Sequence, residues 1–544
     1  MRKYVWLLLF TVSLSCQSHT KKGVTKLVVF ISVDQLRPEL LTQFNDLFTG
    51  GFRWLIDHSV SYTNVYHEHG YTATGPGHFV LSSGQYPGPV GVIGNNWYDR
   101  KLKRVVYCVE DTTATVIGYP GKDRSYKNIN TTALGDWVKD RYPSSKVFSV
   151  AGKDRASIFL GGKHPNLALW YNWQGDFVTT DYYAKSNPQW LIDFNRNLNV
   201  LSYRDSLWTR SLAPVVYERY ARRDNFPGEM DTYLTLPYSP VFPIGFDSSL
   251  SDSDVLNDIG GTPWLDKFTI ELATTIAEQE KLGTDDNPDI LFIGLSATDW
   301  IIHNFGPFSQ ESMDHLIKID RYLGHFIDKL DKSIGLANVL FVLTADHGGM
   351  MLPEFLKEKY QTPAGRIKWK PLKAAYENTL REIDKRYGDH DFIVFEGLSF
   401  YYDIDILNER SIDMRVINKI LKKNFENVAG IERILTKEEI LSATPEDKIV
   451  FRMKNMINPV KSPDAWILQK GNWVYRFPYG TGHGTPYDYD AHVPLLLHMK
   501  GMKKEQINDR IATVDIAPTI AKILDVEPPA FVDGKTIREF VEKR

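Results

Sequence analysis

KLVVFISVD, residues 26–34, is an unbroken apolar and β-branched run that stops at a carboxylate, Asp34. A strand that is apolar at every position is covered on both faces, as strands of a parallel sheet are. Similar runs follow at Lys146–Val150, at Asp289–Leu295 (DILFIGL) and at Asn338–Leu343 (NVLFVL). Each ends in polar residues: Lys153-Asp154-Arg155, then Asp299, then Asp346-His347. Between them lie helical patterns. Thr262-Pro263 is a cap followed by proline, ahead of a stripe at Leu265, Phe268, Leu272 and Ile276. A second stripe runs through Leu316, Ile319, Leu323, Phe326 and Leu330. Alternating strands and helices predict an α/β fold with a mostly parallel central sheet and helices on both faces. Open sheets of this class build their sites beyond the C-terminal ends of the strands, where these polar residues fall.

The stretch YTATGPGHFVLSSG (71–84) places Thr74 directly before Gly75-Pro76-Gly77, with Phe79-Val80-Leu81 continuing as a helix. Proline suits a first helical turn, where its missing N–H costs nothing. Thr74 is thus expected at a helix N-terminus, where free N–H groups and the dipole favour an anion. Threonine is also a common cap, so this stretch alone does not separate an anion site from an ordinary helix start.

Outward from these stretches, the bulk composition is that of a large globular protein: 544 residues, 43% hydrophobic and 24% charged. The net charge of -3 argues against a nucleic-acid surface, so an anionic substrate needs a local positive site. No stable protein partner is implied. Met1-Arg2-Lys3, the apolar run Val5–Leu14 and Ser15-Cys16 read as an export signal over residues 1–20, too short for a permanent span. Cys16 is a candidate for acylation as a lipoprotein, although Ser13 departs from the usual aliphatic residue. The expected location is therefore periplasmic or cell-surface, with a lipid anchor through Cys16 as one form of attachment. Cys108 is the only other cysteine, so no internal disulfide is expected and any metal must be held by Asp and His.

Two regions depart from the α/β rhythm and read as insertions, at about 160–260 and 353–485. The first is dense in aromatics, among them Trp170, Tyr171, Trp173, Tyr182 and Tyr183. The second carries helices near Pro371–Arg386 and Ile412–Phe425 and strands near Phe392–Tyr402 and Trp466–Arg476. It ends at Gly480-Thr481-Gly482-His483-Gly484, a histidine in a loop with no evident core role. After it come Val493–Met499, read as a last strand, and Ile516–Leu524, read as a final helix capped by Asp515. His67 and His69 would share one face of an extended chain and read as structural rather than metal-binding. Lys153 and Arg155 point the same way if extended, which suits an anion clamp. Asp299 and His303, four apart, share a face if a helix starts near Asp299.

Asp34, Asp299 and Asp346 with His303, His347 and His483 make a mixed carboxylate and imidazole set without thiolates, the donor type of catalytic zinc. Six ligands exceed one tetrahedral ion. They suit two ions roughly 3.5–4 Å apart that clamp the entering and leaving oxygens of an in-line displacement. Thr74, whose hydroxyl is too weakly acidic to attack unaided, would be activated by such an ion.

The segments ISVDQLRPELL, TATGPGHFVLSSG, GNNWYD, GKDR (152–155), TDWIIHNFGP, TADHGG, GTGHGTPYDYDAHVP and TVDIAPTIAKIL occur in this order from about residue 26 to the C-terminus. This set resembles the alkaline phosphatase superfamily and, within it, the PafA-type bacterial phosphatases with a threonine nucleophile. TADHGG alone recurs across the superfamily; its combination with GNNWYD and GKDR is more specific. The resemblance implies a three-layer α/β sandwich over residues 24–544, a single domain with the two insertions as cap regions. It implies an alkaline phosphatase that hydrolyses small-molecule phosphate monoesters through a phosphothreonine, with two zinc ions per chain. Asp299, His303 and His483 would hold the first zinc. Asp34, Asp346 and His347 would hold the second, together with the Thr74 oxygen. Asn95, Lys153 and Arg155 would hold the non-bridging phosphate oxygens. Lys153 and Arg155 favour a monoester dianion. The alternative on the same metal site is a phosphodiesterase, nucleotide pyrophosphatase or phosphonate hydrolase.

Overall fold

The computed structural model describes residues 25–120, 124–230, 241–246, 248–475 and 478–543. The export signal and Cys16 lie outside these residues. The central sheet is formed by β1 (Leu27–Val33), β2 (Val60–Tyr66), β3 (Val147–Ala151), β4 (Leu167–Tyr171), β5 (Phe177–Val178), β6 (Asp289–Leu295), β7 (Val339–Thr344), β8 (His492–His498) and β9 (Glu505–Ala512). Their spatial order is β9-β2-β8-β7-β1-β6-β3-β4-β5. The block from β7 to β4 is parallel throughout, while β8 runs antiparallel to both of its neighbours. Every residue of β1, β3, β6 and β7 is buried, as expected for strands covered on both faces.

Register places the strand ends side by side. Val33 pairs with Leu295, Ser32 with Thr344, and Ala151 with Gly294. The four polar strand ends named from the sequence therefore stand on four adjacent strands, β7-β1-β6-β3, at the edge where α/β sheets place ligands.

The helices around the sheet include α1 (Gly51–His58), α2 (Thr74–Ser83), α3 (Leu134–Arg141), α4 (Asp154–Gly161), α5 (Pro263–Gln279), α6 (Ala297–Phe305), α7 (Gln310–Ile334) and α8 (Ile516–Ile523). α1, α5 and α7 pack together as one layer, and α2, α3, α4 and α8 as another. The stripes of α5 and α7 are buried at every position named from the sequence. Each such aliphatic or aromatic side chain contributes about 1.5–3 kcal/mol of burial. Thr262 caps α5 through Trp264 N–H, and Ser309 caps α7 through Ser312 N–H.

Several elements differ from the sequence reading. The frame continues past residue 160: α4 and β4 complete a βαβ unit, so LALWY (167–171) is central strand rather than the start of an insertion. Val493–Met499 is not the last strand, because β9 follows and pairs in parallel with β2 at the sheet edge. Its sequence, EQINDRIA, is mostly exposed and polar, which suits an edge and hides it from an apolar-run search. The final helix is Arg538–Glu542, not α8. Asp515 does not cap α8 through its side chain; its carboxylate accepts from Ala512 and Lys535 N–H instead.

Within the 353–485 region, Ile393–Glu396, Ser399–Tyr402, Ala465–Gln469 and Ile431–Thr436 form a separate antiparallel sheet with its own apolar cluster. The strand at Ile431–Thr436 was not read from the sequence.

Candidate active site

Thr74 is the first residue of α2, and the extended Ala73 precedes it. The N-cap position is therefore Ala73, not Thr74. Thr74 Oγ1 lies 3.4 Å from Lys153 Nζ and 3.3 Å from Arg155 Nη2, and the residue is 1% exposed. Asn95 Oδ1 accepts from Gly75 N–H at 2.7 Å, which ties the GNNWYD loop to the start of the helix. Gly77 allows α2 to approach β7: a Cβ there would stand 2.1 Å from the Asp346 carbonyl oxygen.

Lys153 and Arg155 do converge on Thr74, but not along an extended chain. Lys153 is the residue before α4 and Arg155 lies inside it, because Asp154 opens that helix. Lys153 Nζ also bridges Asp34 Oδ2 at 2.7 Å and Asp299 Oδ2 at 2.6 Å. Burial pulls its pKa down, but Asp299 and Asp34 outweigh burial and hold it above the usual lysine value. Arg155 donates to Tyr107 Oη at 3.2 Å, and Tyr107 donates to Asp154 Oδ1 at 2.5 Å.

The helical spacing of Asp299 and His303 holds: both lie in α6, with His303 Nε2 3.3 Å from Asp299 Oδ1. His483 Nε2 reaches the same oxygen at 3.4 Å. His347 Nε2 lies 3.5 Å from Asp34 Oδ1 and 3.4 Å from Asp346 Oδ2. The His347 and His483 rings stack at 3.7 Å.

Each of these imidazoles uses Nδ1 on a backbone carbonyl: His303 on Thr481 at 2.7 Å, His483 on Thr72 at 2.7 Å, His347 on Gly348 at 2.8 Å. A carbonyl only accepts, so Nδ1 carries the proton and Nε2 is turned toward the carboxylates. That is the arrangement by which metal-ligating histidines are oriented. Asp34 Oδ1, Asp346 Oδ2 and His347 Nε2 are all buried with no hydrogen-bond partner. Buried polar atoms are normally paired, and three orphans facing one another fit a cation between them.

The charge balance agrees. Asp34, Asp299 and Asp346 are buried together with a single lysine. Burial, with Asp346 close by, pushes the Asp34 carboxyl well above the usual range. Asp299, although burial opposes it, is held well below that range by His303 and Lys153. The site is short of positive charge, which divalent ions would supply.

Two groups of donor atoms lie within 4.8 Å of one another: Asp299, His303 and His483, and Asp34, Asp299 and His347. The first matches the grouping implied by the resemblance. The second differs in holding Asp299 where Asp346 was expected; Lys153 bridges the Asp34 and Asp299 carboxylates there. Asp346 joins through its contact with His347.

His67 and His69 do not enter the site. Both are fully buried, their rings 5.0 Å apart, and His67 bonds Ala345 O and Thr513 Oγ1. Three supporting residues went unread in the sequence. Gln35, at φ 64°, donates its N–H to Asp346 Oδ1 at 3.1 Å. With its amide oriented to satisfy both atoms, its side-chain nitrogen donates to Asp299 Oδ1 at 2.8 Å. His78 donates Nδ1–H to the Thr74 carbonyl at 2.9 Å and stands 3.2 Å from Asp346 Oδ2. Tyr107 anchors Arg155. Gln35 and His78 flank motif residues, which is a signal; Tyr107 lies on the Arg104–Tyr107 hairpin strand and gives none.

Comparison with known proteins places this arrangement. Residues 28–395 match the model of the type I phosphodiesterase / nucleotide pyrophosphatase family. The chain is 30% identical to alkaline phosphatase PafA of Elizabethkingia meningoseptica, over 95% of this chain and 94% of that protein. It is 31% identical to alkaline phosphatase PhoV of Synechococcus elongatus, over 95% and 93%. The crystal structure of wild-type PafA superimposes with a TM-score of 0.86 at 29% identity, covering 95% of this chain and 99% of that one. A buried carboxylate and histidine cluster at the strand ends of this fold, with family resemblance along the whole frame, identifies the chain as a hydrolase of the alkaline phosphatase superfamily, a PafA-type member of the type I phosphodiesterase / nucleotide pyrophosphatase family.

Proposed function

We propose that the protein hydrolyses phosphate monoesters to an alcohol and inorganic phosphate through a phosphothreonine at Thr74. One observation carries this reading: the Thr74 oxygen, at a helix N-terminus, has both Lys153 and Arg155 within 3.4 Å. A monoester dianion carries more charge on its non-bridging oxygens than a diester, and two cations match that surplus.

Asp299, His303 and His483 would hold one divalent cation, and Asp34, Asp346 and His347 a second, zinc in the family this chain resembles. Two such ions supply positive charge against the attacking and departing oxygens and lower the pKa of a hydroxyl. The protein's own groups do the rest. Gln35, His78 and the three backbone carbonyls that take Nδ1–H hold the donor set in place. Lys153 stays protonated and acts as a charge and donor, not as a base. Arg155, oriented by Tyr107, and Asn95, oriented by Gly75 N–H, bind non-bridging oxygens, while the N-terminus of α2 faces the same anion. The Thr74 hydroxyl gives up its proton to solvent and its oxygen attacks phosphorus, the bond to the alcohol oxygen breaks, and that oxygen takes a proton from water. Water then attacks the phosphothreonine, the bond to Thr74 breaks, the proton lost by that water returns through solvent to the Thr74 oxygen, and phosphate leaves. Positioning and charge dominate, as in phosphoryl transfer generally.

The phosphodiesterase reading has the family model on its side, but the two cations beside Thr74 favour monoesters. Export follows from the N-terminal sequence; no helix among the described residues is long and apolar enough to cross a membrane. Thr74→Ala is expected to abolish phosphate release from p-nitrophenyl phosphate while the protein keeps its metal content. Monoesterase activity at the wild-type level in that variant would refute the assignment.

A further inference from the structure

The site opens into two cavities of different character. One, of about 790 Å³, is lined by Lys153, Arg155 and Arg124 and lies on the cation side of Thr74. The other, of about 450 Å³, is lined by His303 and His483 and lies on the side of the first donor group. In an in-line displacement the alcohol departs opposite the nucleophile, toward the ion that stabilises it. On the monoesterase reading, on which this inference rests, the second cavity is the place of the alcohol.

The walls of that cavity are aromatic and thioether: Tyr71, Tyr401, Trp466, Trp473, Tyr475 and Met350 contribute to them. Most come from the separate sheet of the 353–485 region and the segment after it. Tyr71 and Tyr475 are 43% and 40% exposed, a large apolar area to leave open beside a reacting centre. Among the described residues, Tyr71, Trp466, Trp473 and Tyr475 make no ring–ring contact, so their faces are not consumed by packing against one another. Trp473 and Trp466 are held against the apolar clusters of the 353–485 region, while Tyr71 and Tyr475 are exposed. Trp473 lies against Gly365 and Gly430, where a Cβ would come within 2.7 and 2.4 Å of its ring. Tyr71 lies across Gly94 and Gly484, at 3.6 and 3.4 Å from their virtual Cβ positions. Rigid aromatic faces lining a concave site select flat partners, and sites of a few hundred Å³ suit a molecule of nucleoside size.

We propose that this cavity receives the alcohol of the ester and selects one bearing a flat aromatic or heteroaromatic ring, as in a nucleoside 5′-monophosphate or a benzyl ester. Two substrate pairs isolate the ring from leaving-group chemistry. AMP and ribose 5-phosphate share the 5′-oxygen and differ by the base; benzyl and ethyl phosphate do the same for a simple arene. Turnover of the metal-loaded enzyme is expected to favour the ring-bearing member of at least one pair about tenfold in kcat/KM. Tenfold corresponds to about 1.4 kcal/mol, within the range of one base stacked on an aromatic side chain. A preference in the AMP pair points to a nucleoside; a preference in the benzyl pair alone points to a simple arene.

Trp466→Ala and Tyr475→Ala should each bring the ratio toward one. As a check independent of turnover, calorimetry on the metal-loaded Thr74→Ala protein should show AMP or benzyl phosphate binding about tenfold tighter than its partner. Ratios near one in both pairs, in turnover and in binding, would overturn the inference and leave the monoesterase reading standing. Failure of all four esters to turn over, with the binding preference intact, would instead sink the monoesterase reading.

Discussion

Replacing Arg155 by alanine tests the electrostatic basis of monoester selectivity. Arg155 Nη2 lies 3.3 Å from Thr74 Oγ1, its Nη1 is used on Tyr107, and its Nε has no partner. Nη2, the nitrogen turned toward Thr74, carries two N–H groups, which are the donors available to non-bridging oxygens of a phosphoryl group there. A hydrogen bond to a charged group contributes about 1.5–3 kcal/mol, so two contribute about 3–6 kcal/mol to the transition state of a dianion. At about 1.36 kcal/mol per tenfold, kcat/KM for p-nitrophenyl phosphate should fall by about 10² to 10⁴. A diester has one of those oxygens esterified and one negative charge fewer. With one such bond at stake, bis-p-nitrophenyl phosphate should lose about 10- to 10²-fold. The assay is kcat/KM for both esters, wild type and variant, at saturating divalent metal and with metal content measured. Equal factors for the two esters would refute the reasoning and favour a diesterase. Arg155→Lys should not restore monoester turnover, because an ammonium lacks the planar fork that Tyr107 orients.

The other expectations concern the donor set and the core. On the proposed two-ion reading, His303→Ala should lower bound metal by about one ion per chain relative to wild type by elemental analysis, since Asp34, Asp346 and His347 are untouched; unchanged metal content would speak against the grouping. Gln35→Ala removes a bond to the Asp299 carboxylate and should weaken metal affinity about 10- to 100-fold in chelator competition; an unchanged affinity would show that Gln35 does not position the ligand. His67, fully buried, has its pKa lowered to about 4 by burial, against 6.5 in the unfolded chain. The unfolded state therefore binds the extra proton between these values. Stability should be complete above pH 6.5 and fall by about 3 kcal/mol as pH drops toward 4. In denaturant unfolding of the metal-loaded protein at pH 7 and pH 5, His67→Asn should reduce this acid loss, and an identical loss would contradict it.

What could be read from the chain, and what could not, follows from the range of each interaction. β1, β3, β6 and β7 are legible because burial on both faces requires an unbroken apolar run, a local property. The cap Thr262 is legible for the same reason, whereas the Ser309 cap was not read. β9 and β4 were hidden, the first because edge exposure permits a polar sequence, the second because LALWY lies where aromatic density masks a strand. The donor residues were legible as chemistry, since Asp and His at strand ends without thiolates leave few alternatives. Their convergence was not, because β1, β3, β6 and β7 are neighbours only through the spatial order of the sheet, and their pairing into two groups came from resemblance. Lys153 shows the gap most clearly. Its place beside Thr74 was expected, but its bridge between Asp34 and Asp299 depends on three strands meeting. That bridge is what makes the site a test of its own charge: three buried carboxylates with one ammonium leave a deficit that the fold alone does not relieve. A protein whose strand ends are arranged this way must find further positive charge, or protonate Asp34, whose raised pKa already leans in that direction.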